Sequence, residues 1–449
     1  MKTLCVRPIV SLAVAAGLAA LCASPAAAQT PVNPVYQAQP VGTTAKPYQS
    51  LFGASHRSDP ETDQFALNLS LSEERGDLQQ QAVLVNPGVP VTSGVIDGLL
   101  ASLTYDHRRK HSTVALIAEG NFRYYRDIKT SAPSAWHVDF AASTTPNART
   151  TFTFGQSVIY TPYFAVPSLP ATPAGQDLID LPTVGLPVTD NGMVRQDETI
   201  YLTSAGLTRQ LSQRWLLALD AQFGYYDLAL VGSDVRDLRV GGGLGRQLTR
   251  NLTLRFAYAY RLGNLAADTL ASRAETQDAG INFDYQLPRS RTLRTTLSFG
   301  AGATRLSADV TGPVRVAANF TLRQDLSRRW FIAANYNRGY RFAPGFLGAW
   351  FSDSIGARLG GSVGRRVELS ATAGYVKGET GTDAAGSFDL WQASAQMRIA
   401  LFRYMAVDAA YTTYRHVMNE NVPLIVDIAR DFSRHALRIN LTIWLPLTH

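Results

Sequence analysis

An alternation of period two, repeated from residue 62 almost to the end, constrains this chain more than any other feature. Phe65, Leu67, Leu69 and Leu71 are apolar, while Ala66, Asn68, Ser70 and Ser72 are small or polar. Leu252, Leu254, Phe256, Tyr258 and Tyr260 alternate with Thr253, Arg255, Ala257, Ala259 and Arg261. Val316, Ala318, Phe320 and Leu322 alternate with Arg315, Ala317, Asn319, Thr321 and Arg323, and Leu437, Ile439, Leu441 and Ile443 with Arg438, Asn440 and Thr442. Successive side chains of a β-strand point to opposite faces, so each run is a strand with one apolar and one polar face.

A soluble sandwich also alternates, and three observations separate the two. Many runs reach about ten to fourteen residues, enough to cross a bilayer at a tilt and longer than ordinary strands. The polar face carries Arg, Asp, Glu and Asn at strand centres, which suits a wet interior rather than a solid core. Aromatics gather near run ends: Tyr124, Tyr125, Tyr160, Tyr163, Trp215, Tyr225, Tyr226, Trp330, Tyr340, Phe402 and Tyr404. Those are the places of interfacial girdles. The expected fold is all-β: a closed transmembrane antiparallel barrel of eighteen strands, with sixteen as the alternative. Connections alternate in length. His107–His111, Thr145–Arg149 and Gln210–Gln213 are short. Glu73–Ile96, Thr161–Arg195, Leu262–Glu275, Arg341–Phe351 and Val417–Asp431 are long. An even strand count with short turns on one side places both termini in the periplasm.

Residues 1–28 have the three parts of a secretory signal peptide: Lys2 and Arg7, the apolar Ile9–Cys22, and Ala26-Ala27-Ala28 before cleavage at Gln29. Removing Lys2 and Arg7 takes the net charge from +7 to +5. Cys5 and Cys22 leave with the leader, which excludes disulfides and thiolate metal sites in the remainder. Residues 29–61, rich in Pro, Gln, Thr and Ala without an apolar period, read as a flexible periplasmic segment before a barrel at 62–449. The basic residues recur singly or in pairs at turns rather than in a run or stripe, so nucleic acid is not an expected partner.

One turn element recurs. Gln210-Leu211-Ser212-Gln213-Arg214-Trp215 matches Asp325-Leu326-Ser327-Arg328-Arg329-Trp330, with Gln247-Leu248-Thr249-Arg250-Asn251-Leu252 as a looser copy. It reads as a hairpin turn with interfacial Arg and Trp anchors. The glycine-rich runs Arg239–Arg246 and Arg358–Arg365 lack the βαβ surroundings of a dinucleotide loop and read as strand glycines that allow curvature or leave interior space. The seven histidines are scattered and no catalytic set stands out. The chain reads as a non-enzyme without cofactor or metal, a lipase-like barrel enzyme being the minor alternative.

Alternation directs a set of charges inward: Glu119, Arg123, Asp220, Arg239, Arg255, Asp284, Arg294, Arg315, Arg323, Arg358, Arg398, Asp408 and Arg438, together with Asp237, Glu368 and Asp389. Such charges tune ion passage, and the arginine excess points to a mild anion preference. Pairing across strands in a filled interior is the equal alternative.

The Leu-Ser/Thr-x-Arg turns between long amphipathic strands, with Tyr258-Ala259-Tyr260 near a strand end, resemble the outer-membrane β-barrel porin families of Gram-negative bacteria, some of whose members are associated with exopolysaccharide export. The ending Leu445-Pro446-Leu447-Thr448-His449 departs from the terminal aromatic of such barrels. The resemblance implies a channel in the outer membrane for small polar or ionic solutes. Its implied partners are outer-membrane lipid and lipopolysaccharide, the barrel-assembly machinery and those solutes. The alternative is a component of a polysaccharide or surface-polymer export system with its own export partners.

Overall fold

In a computed structural model, the described residues are 62–76, 94–126, 130–165, 192–228, 233–267, 270–288, 294–308, 311–327, 329–342, 349–380, 386–402, 404–422 and 430–447. The leader and the 29–61 segment lie outside them. The described residues contain strands and no α-helix. In chain order the strands are β1 Thr62–Gly76, β2 Gly94–Arg109, β3 Ser112–Tyr125, β4 Thr130–Asn147, β5 Thr150–Ala165, β6 Gly192–Gln210, β7 Trp215–Leu228, β8 Ser233–Gln247 and β9 Leu252–Ala267. They continue as β10 Leu270–Pro288, β11 Arg294–Ser307, β12 Thr311–Asp325, β13 Trp330–Arg341, β14 Trp350–Val363, β15 Val367–Thr380, β16 Gly386–Phe402, β17 Met405–Met418 and β18 Asp431–Pro446.

Each strand pairs antiparallel with its sequence neighbours, and β1 pairs with β18, so a single eighteen-stranded sheet closes on itself. Closure removes both sheet edges, which satisfies the backbone without help from solvent. Asn68↔Trp444, Ser70↔Thr442 and Ser72↔Asn440 fix the closing register. A one-residue slip there would turn the polar row of β1 outward.

The two rims differ. At the proximal rim, which holds Thr62 and Pro446, every connection is short in sequence, from 110–111 and 148–149 to 289–293. The repeated sequence element is also a repeated structure there. Leu211 N–H donates to Trp215 O at 2.9 Å, Leu248 N–H to Leu252 O at 2.9 Å, and Leu326 N–H to Trp330 O at 2.8 Å. Inside each turn the hydroxyl accepts two backbone N–H groups. Ser212 Oγ takes Arg214 and Trp215 at 3.3 and 3.2 Å, Thr249 Oγ1 takes Asn251 and Leu252 at 3.3 and 3.1 Å, and Ser327 Oγ takes Arg329 and Trp330, both at 3.2 Å. A short hydroxyl that satisfies local N–H groups is why Ser or Thr recurs at this position. Gly364, at φ 70°, turns β14 into β15 in the left-handed region that glycine enters without cost.

At the distal rim the connections run from 268–269 up to 77–93, 166–191 and 419–430. One long connection read from the sequence is instead strand: most of 262–275 belongs to β9 and β10, which pair up to Ala267↔Leu270. Small residues (Gly263, Ala266, Ala267, Ala271, Ala274) blunt the polarity contrast there and hid the alternation. β1 likewise continues past Ser72 to Gly76.

Candidate functional site: the barrel interior

The register separates two faces. Exposed apolar side chains occupy one row of each strand, including Leu71, Leu99, Phe154, Leu219, Phe256, Phe299, Val316, Ile355 and Ile439. The opposite row holds the buried polar set: Asn68, Ser70, Ser102, Arg255, Asn282, Asp284, Asn335, Arg398, Asp408, Arg438 and Asn440. In a closed sheet the crowded face is the concave one. The barrel is therefore polar inside and apolar outside, the inverse of a soluble barrel and the pattern of a wall facing lipid. On the outer face Trp136 and Tyr160 stack at 5.9 Å, and the Tyr201 and Tyr225 rings meet at a tilt at 6.0 Å. Tyr125, Tyr226 and Tyr340, expected among the girdles, do not join them. Tyr125 and Tyr226 sit on inner rows, opposite Ile96 and Ile200, because neighbouring tyrosines in a strand face opposite ways.

Most of the inward charges meet partners. Arg255 Nη2 donates to Asp284 Oδ1 at 2.7 Å, its Nε lies 2.6 Å from Oδ2, and Ser298 Oγ adds a 2.7 Å bond to Oδ1. Arg239 Nη1 donates to Asp220, and Arg261 Nε lies 3.4 Å from Asp237. Arg398 faces two carboxylates: its Nε donates to Asp408, and its Nη1 lies 3.8 Å from Glu368. Thr442 Oγ1 donates to Asp408 Oδ2 at 3.2 Å and meets Ser70 Oγ at 3.1 Å. Glu119 lies opposite Ser102 and His137. Arg323 Nε lies 3.6 Å from Asp325, and its guanidinium covers the Phe331 ring at 5.2 Å. Arg358 lies opposite Ala333 and Thr372 with a buried Nε that has no hydrogen-bond partner. Arg294 shares the inner row at the proximal end of β11, where it is exposed.

Glycines make room for this charge. A Cβ at Gly241 would lie 2.7 Å from Asp220 Oδ1, and one at Gly245 would lie 3.1 Å from Arg255 Cγ. The first glycine-rich run thus leaves space for the ion pairs of the neighbouring strands.

Arg438 and Arg434, two inner-row residues of β18, share Glu74 of β1. Arg434 Nη2 donates to Glu74 Oε1 at 2.6 Å, and Arg438 Nη1 lies 3.8 Å from Oε2. Arg123 of β3, opposite Gly98, lies within electrostatic range of Arg438. Sequence reasoning missed Glu74, which it left in a connection, and Arg434. Both were findable by parity: Glu74 continues the Asn68–Ser70–Ser72 row, and Arg434 lies on the row of Arg438.

Asp389 is a correction. It pairs with Lys377 and accepts from Tyr375 Oη at 2.5 Å, on the row of Trp391 and Met397. Its odd spacing from Arg398 forbids a shared face. Near the distal rim the outer row turns polar, so polarity alone misplaces it.

The interior is narrowed by the β13–β14 hairpin. β13 pairs with β12 only as far as Ala318↔Arg338, although β12 continues to Thr311. Beyond that point Tyr340 and Phe351 sit on the outer row by parity, yet they are 6% and 4% exposed. They pack with Ala274 and Leu306, inner-row residues of β10 and β11. Phe342 lies against Gly263 of β9, where a Cβ would meet its ring at 2.5 Å. The outer face of the distal ends of β13 and β14, through Tyr340, Phe342 and Phe351, therefore rests on the inner face of β9–β11. Arg315 of β12 fastens the overlap: its guanidinium lies 4.7 Å from the Phe351 ring centroid, and Nη1 donates to Glu379 of β15 at 3.1 Å.

No family model matches this chain and no curated protein matches it. Solved structures do resemble it. OpdQ of Pseudomonas aeruginosa is similar at 12% identity and a TM-score of 0.40, over 86% of this chain and 98% of that one. OprD of Pseudomonas aeruginosa is similar at 11% identity and a TM-score of 0.40, over 90% and 98%. The siderophore receptor PirA of Acinetobacter baumannii is similar at 8% identity and a TM-score of 0.41, over 86% and 81%.

Proposed function

We propose that the chain is an outer-membrane channel that passes small polar or ionic solutes through its charged interior. One observation carries the reading: the face that closure turns inward holds Arg255, Asp284, Arg398, Asp408 and Arg438, while the outward face is a continuous apolar belt. Lipid accepts the belt, and hydrogen-bonding groups along the inner wall replace the hydration a solute loses on the way through. In this reading the proximal rim, with its short connections, faces the periplasm and the distal rim faces outside. The inward-folded β13–β14 hairpin narrows the path. Liposome swelling tests it. Vesicles carrying the refolded chain swell in small sugars and small carboxylates and not in dextrans. Vesicles with folded protein that stay tight to all of them overturn it.

A further inference from the structure

We infer that the wall formed by β18, β1 and β3 carries a binding site for the oxyanion of a small solute, a carboxylate or a phosphate group, held by Arg438 and Arg434. The inference rests on the reading of the interior as a solute path, and it names the chemistry that path recognises.

Two guanidinium groups here share one carboxylate. Glu74 engages Nη2 of Arg434 and faces Nη1 of Arg438. Nε and Nη2 of Arg438 are buried with no hydrogen-bond partner, as is Nε of Arg434. Arg438 itself is only 4% exposed. Nε and Nη2 form one edge of the guanidinium plane, the edge whose two parallel N–H groups match the two oxygens of a carboxylate or phosphate. The unused donors are thus a complete fork rather than a stray N–H. Leaving a buried charge-bearing donor unfilled costs more than leaving a neutral one, so a ligand that fills the fork recovers that cost on binding.

The balance of charge favours an anion. Arg123 lies within electrostatic range of Arg438, and Glu74 is the carboxylate in contact with the two arginines. Asp408, also in range of Arg438, is already engaged by Arg398 and Thr442. The fork is covered by neighbouring atoms, so an oxyanion reaches it when a side chain of the wall swings aside.

Binding is measured on the folded full-length chain in detergent micelles, independently of transport, with inorganic phosphate and acetate as separate probes. Line broadening of ³¹P or ¹³C resonances reports occupancy, and retention of the heat-resistant folded band on gels reports the barrel. The wild type broadens at least one probe. Arg438→Gln and Arg434→Gln weaken binding by roughly tenfold or more, the loss of about one charge-assisted hydrogen bond. Arg438→Lys keeps the charge but not the fork and weakens it less, while Arg214→Gln in the exposed 211–214 turn leaves it unchanged. Broadening of phosphate alone assigns a tetrahedral oxyanion, and of acetate alone a carboxylate. A wild type that broadens neither probe, or an Arg438→Gln or Arg434→Gln variant that folds and binds both as the wild type does, overturns the inference. A chain that binds but does not swell vesicles would overturn the channel reading instead.

Discussion

Two neighbouring stretches of the inner wall use the same charges in opposite ratio. On β15–β17 one guanidinium, Arg398, faces two carboxylates, Glu368 and Asp408, with Thr442 adding a hydrogen bond. On β18 and β1 two guanidiniums, Arg434 and Arg438, share one carboxylate, Glu74. The first locus has its donors engaged and reads as part of the wall. The second keeps a buried fork unused. A burial count would treat them alike, since Arg398 and Arg438 are both buried polar residues. Chemistry separates them: a matched buried pair holds strands in register, whereas an unmatched donor edge is poised for a ligand.

The strongest way to break this comparison is to disarm the balanced locus. Asp408→Ala removes the nearer carboxylate of the buried Arg398 and leaves Glu368, which is more distant. The expected loss is about 3–5 kcal/mol, the cost of stripping a buried charge of its partner, read as a lower midpoint in urea unfolding from micelles. A midpoint shift near zero would show that Arg398 is hydrated and that the pairing is not structural.

Glu74→Ala sharpens the other side. It should also destabilise, but here added phosphate should restore part of the loss, because a ligand that binds only the folded state stabilises by mass action. Phosphate should not rescue Asp408→Ala to the same extent. Equal rescue of both variants would erase the distinction between the two loci.

The hairpin lies outside both loci and tests whether they share one passage. Phe351→Ala removes a buried ring that Arg315 covers, at a cost of about 3–5 kcal/mol if the site does not collapse. Freed from β9–β11, the distal ends of β13 and β14 should retract and the swelling rate for larger sugars should rise. The smallest effect belongs to the proximal turns. Ser212→Ala or Ser327→Ala loses hydroxyl bonds to two backbone N–H groups and should cost about 0.5–1.5 kcal/mol per turn without changing permeation.

The sequence carried the architecture well, for a physical reason. In a barrel wall every residue faces either lipid or lumen, so parity along each strand is a direct record of the fold. Strand number, the antiparallel order, the Ser/Thr turns and the inner row of Arg255, Arg398 and Arg438 follow from it. Parity fails where contrast fades: small residues hid the distal ends of β9 and β10, and Asp389 sits where the outer row is itself polar. Contacts between distant rows are beyond parity altogether. That Tyr340 and Phe351 fold onto β10 and β11, or that Glu74 falls between Arg434 and Arg438, depends on how the sheet closes and bends, which no single strand encodes.

Single-channel recording from the purified, folded chain in a planar bilayer tests the central claim, an open polar path with an arginine-rich wall, most directly. The account predicts discrete ohmic steps and, across a potassium chloride gradient, a reversal potential displaced toward that of chloride. Folded protein that gives no steps, or steps that favour potassium, would contradict it.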